Sequence, residues 1–224
     1  MRLREFVEHY GEPYSRLLGI DLSSRRTDEV FKWLVASVLY GKPIRESSAT
    51  NTYKCFEKRK ILSPEKILQT GWDGLVSILD EGGYARYDFS TATKLLDIAA
   101  KLIEMYGGDL NKLHEAATDS KDLEARIMAL GKGVGPTTTS IFLRDMRMIW
   151  PKADPEPTPM IQQAQRSLGI RNLKSYAKAN DVDLVRLETA LLRLAKDFLR
   201  KRLPSPVKIG KRRARYHRAE RSAA

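Results

Sequence analysis

Cysteine is nearly absent from the sequence, since Cys55 stands alone among 224 residues. A single thiol cannot close an intrachain disulfide, and it cannot supply the four thiolates that an iron–sulfur cluster requires. The three histidines, His9, His114 and His217, are too far apart to show the spacing of metal ligands. We therefore expect no protein-bound transition metal and no cofactor.

Long apolar runs are missing as well. No stretch of eighteen apolar residues occurs, and the N-terminal Met1-Arg2-Leu3-Arg4-Glu5 lacks the apolar region of a signal peptide, so we expect an intracellular protein without a membrane partner. The sequence also lacks alternating strand patterns, repeats of fixed period and sustained heptads, whereas apolar residues recur at helical spacing. This pattern predicts an all-α fold.

Acidic residues are outnumbered by basic ones, 28 against 40, which gives a net charge of +12. The excess is concentrated in residues 200–224, where ten Lys and Arg stand against one acid, Glu220. Pro204-Ser205-Pro206 separates the body from this segment, so we predict a basic flexible tail over 204–224. The tail is either a phosphate-binding arm or a solubility element. In both cases it would not distinguish one nucleic-acid sequence from another.

The most informative stretch is Gly131-Lys132-Gly133-Val134-Gly135-Pro136-Thr137-Thr138, which lies between two helical patterns and predicts helix, tight hairpin, helix. Glycine at 133 and 135 permits a positive φ, proline at 136 suits the first helical position, and the threonines after it can cap that turn. Backbone amides at such a helix N-terminus, with a lysine beside them, attract phosphate. A monovalent ion at the hairpin stays open as a bound species.

Gly133-Val134-Gly135 between two helices resembles the helix-hairpin-helix of the DNA glycosylase superfamily that includes endonuclease III. Residues 31–40 are similar to the first barrel helix of that family, residues 82–84 to its Gly-aromatic turn, and residues 150–157 to the loop that ends in its catalytic Asp. The resemblance covers about residues 28–170. It does not extend to the iron–sulfur cluster of the endonuclease III branch, because the sequence lacks the cysteines that would hold one.

The resemblance implies two helical subdomains with a cleft between them. Residues 27–149 are expected to form a six-helix barrel that contains the hairpin, and residues 1–26 with 150–203 a second subdomain built from both chain ends. It also implies double-stranded DNA with a damaged or mismatched base as the partner, bound by a monomer.

Asp154 is the expected catalytic carboxylate, because it lies at about the family's distance from the hairpin. Breaking the C1′–N bond places positive charge on the sugar, which a carboxylate stabilises while it orients water. Glu156 is the alternate. When positions are counted back from residues 165–169 instead, the catalytic Asp of the family falls nearer Pro157. The competing interpretation is a rigid, solvated loop whose acids have no catalytic role.

Thr137 occupies the position of the lysine that forms a Schiff base in bifunctional family members. Threonine cannot form that intermediate, so the resemblance implies a monofunctional enzyme that uses water. Lys132 and Lys152 are the nearby lysines that a lyase reaction could use instead. A non-catalytic DNA-binding module of the same fold is the further alternative.

The remaining expected DNA contacts come from the resemblance. Lys42 follows the first barrel helix and is expected to enter the gap left by the flipped nucleotide. The Gly-aromatic turn is expected to supply a second wedge, either Gly83 or Tyr84, with Arg86 beside it. Tyr84 either stacks on a base or is an ordinary packing residue. Trp150, beside the expected catalytic loop, is the candidate among the tryptophans for the base pocket.

Overall fold

The computed structural model describes residues 1–207, and every regular element within that range is helical, which confirms the all-α class. Most of the predicted basic tail lies outside the described residues. The α-helices are α1 (Leu3–Tyr10), α2 (Tyr14–Leu17), α3 (Thr27–Tyr40), α4 (Glu46–Lys58), α5 (Pro64–Glu81), α6 (Asp88–Tyr106), α7 (Leu110–Ala116), α8 (Ser120–Ala129), α9 (Pro136–Met146), α10 (Pro159–Ser167), α11 (Leu173–Asn180) and α12 (Leu184–Arg193). A 3-10 turn, Leu22–Ser24, precedes α3, and a π-helical segment, Leu194–Leu199, follows α12.

Helices α3 to α9 pack around α3, which contacts α4, α6, α7 and α9. The sequence of α3 explains this central position, because apolar residues surround nearly its whole circumference. Nine residues of the helix are buried. Trp33 is fully buried and its indole Nε1–H donates to the carbonyl oxygen of Phe142 at 3.0 Å. This bond joins α3 to the helix that follows the hairpin.

The two chain ends pack together on α12. Helices α1, α10 and α11 all contact α12, whose buried stripe includes Val185, Leu187 and Leu191. Arg193 donates from Nη2 to the carbonyl of Glu12 at 2.8 Å and from Nη1 to the carbonyl of Tyr10. The N-terminal segment is thereby held against the last α-helix.

Helix α5 shows how a glycine shapes the first group of helices. The sequence predicts one helix that begins at Ser63-Pro64 and another that begins at Gly71. The structure agrees, because the element Pro64–Glu81 consists of two helices that meet at a kink at Gly71, whose φ of 68° and ψ of 176° lie outside the helical region. The Ser63 side chain accepts a hydrogen bond from Lys66 N–H and caps the first turn, as the serine and proline pattern predicts.

Close packing also places the loop after α3 against the hairpin. A methyl group added to Gly41 would lie 2.4 Å from the Thr138 hydroxyl oxygen, so glycine at this position permits contact between the end of α3 and the first turn of α9. Among residues 1–207, no helix combines the length and apolar character needed to cross a bilayer.

Candidate nucleic-acid interface and cleft

The hairpin connects α8 to α9 as the sequence pattern predicts. Gly133 has a φ of +84°, and the Val134 N–H donates to the carbonyl of Gly131 at 3.0 Å, which closes the turn. A methyl group on Gly131 would lie 3.0 Å from Ile98 on α6, so the hairpin rests directly on that helix. Both Lys132 and Gly133 are exposed at the tip.

Gly135 corrects one expectation. Its φ of −108° and ψ of −179° are extended, not left-handed, and any L-residue adopts them. A methyl group placed on Gly135 would meet no atom of the described residues within 4 Å. Backbone geometry therefore requires glycine at 133 but not at 135, where the absence of a side chain leaves the α9 N-terminus open to a ligand.

The first turn of α9 has no side-chain cap, so the expected capping by the threonines is wrong. Pro136 occupies the first position, and the N–H groups of Thr137 and Thr138 have no acceptor in residues 1–207. The Thr138 side chain is buried against Gly41 and is unavailable to DNA, whereas the Thr137 side chain is exposed. The amides of this turn are therefore free to bind an anion.

Lys94 is a functional candidate that the sequence analysis did not identify. Its side chain is only 4% exposed, and its Cε and Nζ would lie 3.3 and 3.5 Å from a methyl group on Gly133. No hydrogen bond or ion pair joins Lys94 to any described residue. Burial, followed by the charge of Lys42, lowers the pKa of Lys94 to about 8. The sequence could have pointed to Lys94, because this lysine falls on the otherwise apolar stripe of α6.

Three more cations, Lys42, Arg86 and Lys132, form no ion pair with an acid of the described residues. Lys42 Nζ lies 5.2 Å from the centre of the Tyr87 ring, and Arg86 Cζ lies 5.5 Å from it. We call Lys42, Arg86, Lys94 and Lys132 the hairpin cation group. A cluster of this kind, left without counter-charges by the protein, binds a polyanion.

Tyr84 lies beneath this group and not within it. Its side chain is 1% exposed, and its hydroxyl donates to the carbonyl of Leu39 at 2.6 Å, so of the two alternatives the structure fits the packing residue and not the base-stacking one. The residue is a packing residue that fixes the turn carrying Arg86 against the end of α3. Trp150 is likewise buried, stacked on His114 and bonded to Asn111 Oδ1 at 3.1 Å, outside any base pocket.

A cleft of about 910 Å³ opens beside the hairpin. Its walls come from the loop after α3, one face of α9, the start of α10 and the π-helical segment. Its lining residues include Lys42 and Thr137, which lie next to the hairpin or in its cation group, and Tyr14, Tyr40, Glu46 and Arg144. The hairpin cation group and the cleft therefore share one edge of the molecule.

The polar contacts within the cleft centre on Tyr14. Its hydroxyl donates to Glu46 Oε2 at 2.8 Å, and Lys196 Nζ donates to the same oxygen at 3.2 Å. Arg144, Arg193 and Lys196 all lie within 5.6 Å of the ring centre. Burial, followed by the charge of Glu46, raises the pKa of Tyr14, so the phenol stays a hydrogen-bond donor.

The structure does not bring Asp154 or Glu156 to this cleft. Both line a separate recess of about 400 Å³ near α11. Asp154 forms ion pairs with Arg147 at 3.4 Å and with Lys174. The loop is held there because Arg147 also donates to the carbonyl of Pro155 at 2.6 Å. Pro157, the position reached by the competing count, lines the same recess. The next residue, Thr158, lines the cleft and has a buried hydroxyl with no partner in residues 1–207.

Lys152 has a structural role. Its Nζ donates to the carbonyl oxygens of His114 at 2.9 Å, Glu115 at 3.2 Å and Ala117, and so closes the C-terminal end of α7. An amine held in this way is unavailable as a nucleophile. Lys132 is exposed at the hairpin tip.

Comparisons with protein-family models, curated proteins and solved structures gave no match. The function is therefore argued from the chemistry of the hairpin, the cation group and the cleft. Within residues 1–207, no group of three His, Cys, Asp or Glu side chains is arranged to hold a metal ion.

Gly135→Ala tests whether the α9 N-terminus binds DNA. The methyl group meets no protein atom, so we expect the unfolding free energy to change by less than about 1 kcal/mol. It blocks approach to the free amides, so the dissociation constant for a duplex, measured by fluorescence anisotropy, should rise about tenfold or more. As a control, Gly133→Ala should lose about 1–2 kcal/mol of stability, because it forces a positive φ on alanine. Unchanged DNA affinity in Gly135→Ala would contradict the site.

Lys94 predicts a particular pH dependence of DNA binding. A pKa of about 8 means that the amine is mostly charged at pH 7 and mostly neutral at pH 9. A bound phosphate favours the charged form, so the affinity should fall by about tenfold between those two values. Lys94→Met should bind more weakly at pH 7 and lose this extra pH dependence. Titrations of the two proteins that run parallel across the range would exclude a contact between Lys94 and DNA.

Proposed function

We propose that the protein is a monofunctional DNA glycosylase, which binds duplex DNA with its hairpin and hydrolyses the N-glycosidic bond of a nucleotide held in the cleft. The observation that carries the proposal is the shared edge of the two features. Free amides and unpaired cations suited to phosphate lie directly beside a cleft that Lys42 and Thr137 also line. An enzyme that takes a base out of the duplex requires both features together.

The DNA contact is supported by charge and by geometry. Amides at a helix N-terminus and nearby cations bind phosphate oxygens regardless of sequence, and such contacts position a duplex without specifying its bases. Lys42 connects the two features, because it belongs to the hairpin cation group and lines the cleft. It therefore stands where the strand backbone and the flipped nucleotide meet.

The cleft has the dimensions and the lining of a nucleotide pocket. Its volume of about 910 Å³ falls within the range of about 300–1,000 Å³ typical of small-molecule sites. Tyr40 supplies an aromatic surface, and Ile141 and Met160 supply apolar ones. A planar base with its sugar fits such a mixture of flat apolar walls and a few polar groups.

Glu46 takes the role that the sequence analysis gave to Asp154. It lies in the first turn of α4, lines the cleft, and is positioned by the Tyr14 hydroxyl and Lys196. A carboxylate held at this position stabilises the sugar cation as the base departs and orients the attacking water. Thr137 supplies no amine, so the product is an abasic site and not a strand break.

The second candidate function is a DNA-binding module without catalysis. It is favoured by the ion pairs of Asp154 with Arg147 and Lys174, which occupy the carboxylate of the loop in which the resemblance places the catalytic Asp. In that case the cleft binds an unpaired nucleotide and releases it unchanged. The hairpin and its cations perform the same task under both functions.

Strand cleavage by hot alkali after incubation distinguishes the two. Duplexes that carry uracil, a thymine mismatch, hypoxanthine, 8-oxoguanine or a methylated base are incubated with the wild type, Glu46→Gln and Asp154→Asn. We expect one lesion to give alkali-dependent breaks, Glu46→Gln to slow them by about 100-fold or more, and Asp154→Asn to leave the rate nearly unchanged.

Two outcomes would overturn the assignment. Binding of every duplex without a break would support the non-catalytic module. Loss of activity in Asp154→Asn, with an active Glu46→Gln of equal stability, would return the catalytic role to the loop. Borohydride trapping of the wild type on an abasic duplex should give no covalent adduct, and an adduct would show a lysine-dependent lyase.

A further inference from the structure

Arg144 is an unexplained charged group in the cleft. It lies on α9 two turns after Thr137, and positions 137, 141 and 144 all line the cleft from one face of the helix. The side chain is 2% exposed. Its Nε donates to Asp145 Oδ1 at 2.9 Å, but neither Nη1 nor Nη2 has an acceptor in the described residues.

The acids near Arg144 already have other partners, since Glu188, whose charge acts on Arg144, accepts a hydrogen bond from Arg147. Asp145 Oδ2 already accepts from the Ser15 N–H at 3.2 Å and the Ser15 hydroxyl at 2.9 Å, so that carboxylate cannot turn toward Nη1 and Nη2. The guanidinium packs on the face of Tyr14 at 5.6 Å, which compensates part of the lost hydration. Buried N–H groups without acceptors are rare in folded proteins, and a functional role is one of the accepted explanations.

The neighbouring cations differ from Arg144. Arg193 donates to the carbonyls of Tyr10 and Glu12, and Lys196 donates to Glu46. Their hydrogen-bonding capacity is directed at protein oxygens, whereas both terminal nitrogens of Arg144 are buried without an acceptor in the described residues. The forked donors of a guanidinium fit two adjacent acceptors in one plane.

A base edge fits this donor pair better than a phosphate does. Asp145 forms an ion pair with Arg144 and balances its charge, so the guanidinium offers a ligand its donors and little net charge. The cleft walls from Tyr40, Ile141 and Met160 suit a flat ring. Among the bases, guanine-type purines present O6 and N7 as adjacent acceptors, whereas adenine presents a donor at C6 and cytosine a donor at C4.

We propose that Arg144 binds the O6 and N7 atoms of a 6-oxopurine in the cleft, so that the substrate class is a purine with oxygen at C6 and an unprotonated N7. Hypoxanthine, the deaminated form of adenine, is the simplest such lesion. 8-Oxoguanine carries hydrogen on N7 and opposes one of the two donors. This inference rests on the proposed function, because it requires an everted nucleotide in the cleft.

Binding of the wild-type protein to base analogues tests the inference without a variant that could fail to fold. The duplexes are identical except for one nucleotide, which carries hypoxanthine, purine without O6, 7-deazahypoxanthine without N7, or 8-oxoguanine, each on a 2′-fluoro sugar that resists cleavage. We expect hypoxanthine to bind most tightly and each of the other three to bind about tenfold more weakly.

Arg144→Met supplies the second measurement. Methionine keeps most of the side-chain volume without donors, so the differences in affinity among the four duplexes should shrink to less than about twofold. If this variant is less stable than the wild type, the analogue series on the wild type alone decides the matter.

The outcomes separate this inference from the function on which it rests. Equal binding of all four analogues, together with excision of another base, would overturn the role of Arg144 and leave the glycosylase proposal standing. Absence of excision with the analogue ranking intact would overturn catalysis and retain the 6-oxopurine contact. Stabilisation of the wild type, but not Arg144→Met, by millimolar inorganic phosphate and not by free hypoxanthine would assign Arg144 to an anion and overturn the inference.

Discussion

The buried carboxylate of Asp145 holds the two halves of the site in one geometry. It is fully buried and accepts hydrogen bonds from the backbone and hydroxyl of Ser15 and from Nε of Arg144. Through these bonds the N-terminal segment is joined to α9, the helix that begins at the hairpin. A buried charge of this kind is stable only while its partners stay in place, so the hairpin and the Tyr14 wall of the cleft are fixed relative to each other.

Several residues expected to contact DNA instead position those that are able to do so. Tyr84 anchors the turn that carries Arg86, and Thr138 packs against Gly41 at the start of the loop that carries Lys42. The turn that carries Arg86 and the loop that carries Lys42 are therefore held in place by buried contacts. Preorganisation of this kind reduces the entropy that binding must remove, and it favours a site that accepts a duplex with little rearrangement.

Much of this arrangement is encoded locally, and some of it is not. The hairpin, the kink at Gly71 and the cap at Ser63 follow from glycine, proline and serine at positions where few other residues fit. The placement of Asp154 depends on Arg147, which is itself paired with the distant Glu188, and sequence spacing does not contain that contact. Arg144 and Asp145 look like an ordinary surface pair until long-range packing shows that both are buried.

The central claim is that the hairpin and the adjoining cleft form one DNA-binding surface. Hydrogen–deuterium exchange, measured with and without a duplex that contains a tetrahydrofuran abasic analogue, tests it most directly. The account predicts that DNA slows exchange at residues 131–138 and in the 41–47 loop, and leaves exchange at residues 152–157 unchanged. Slower exchange confined to residues 152–157, with the hairpin amides unaffected, would contradict it.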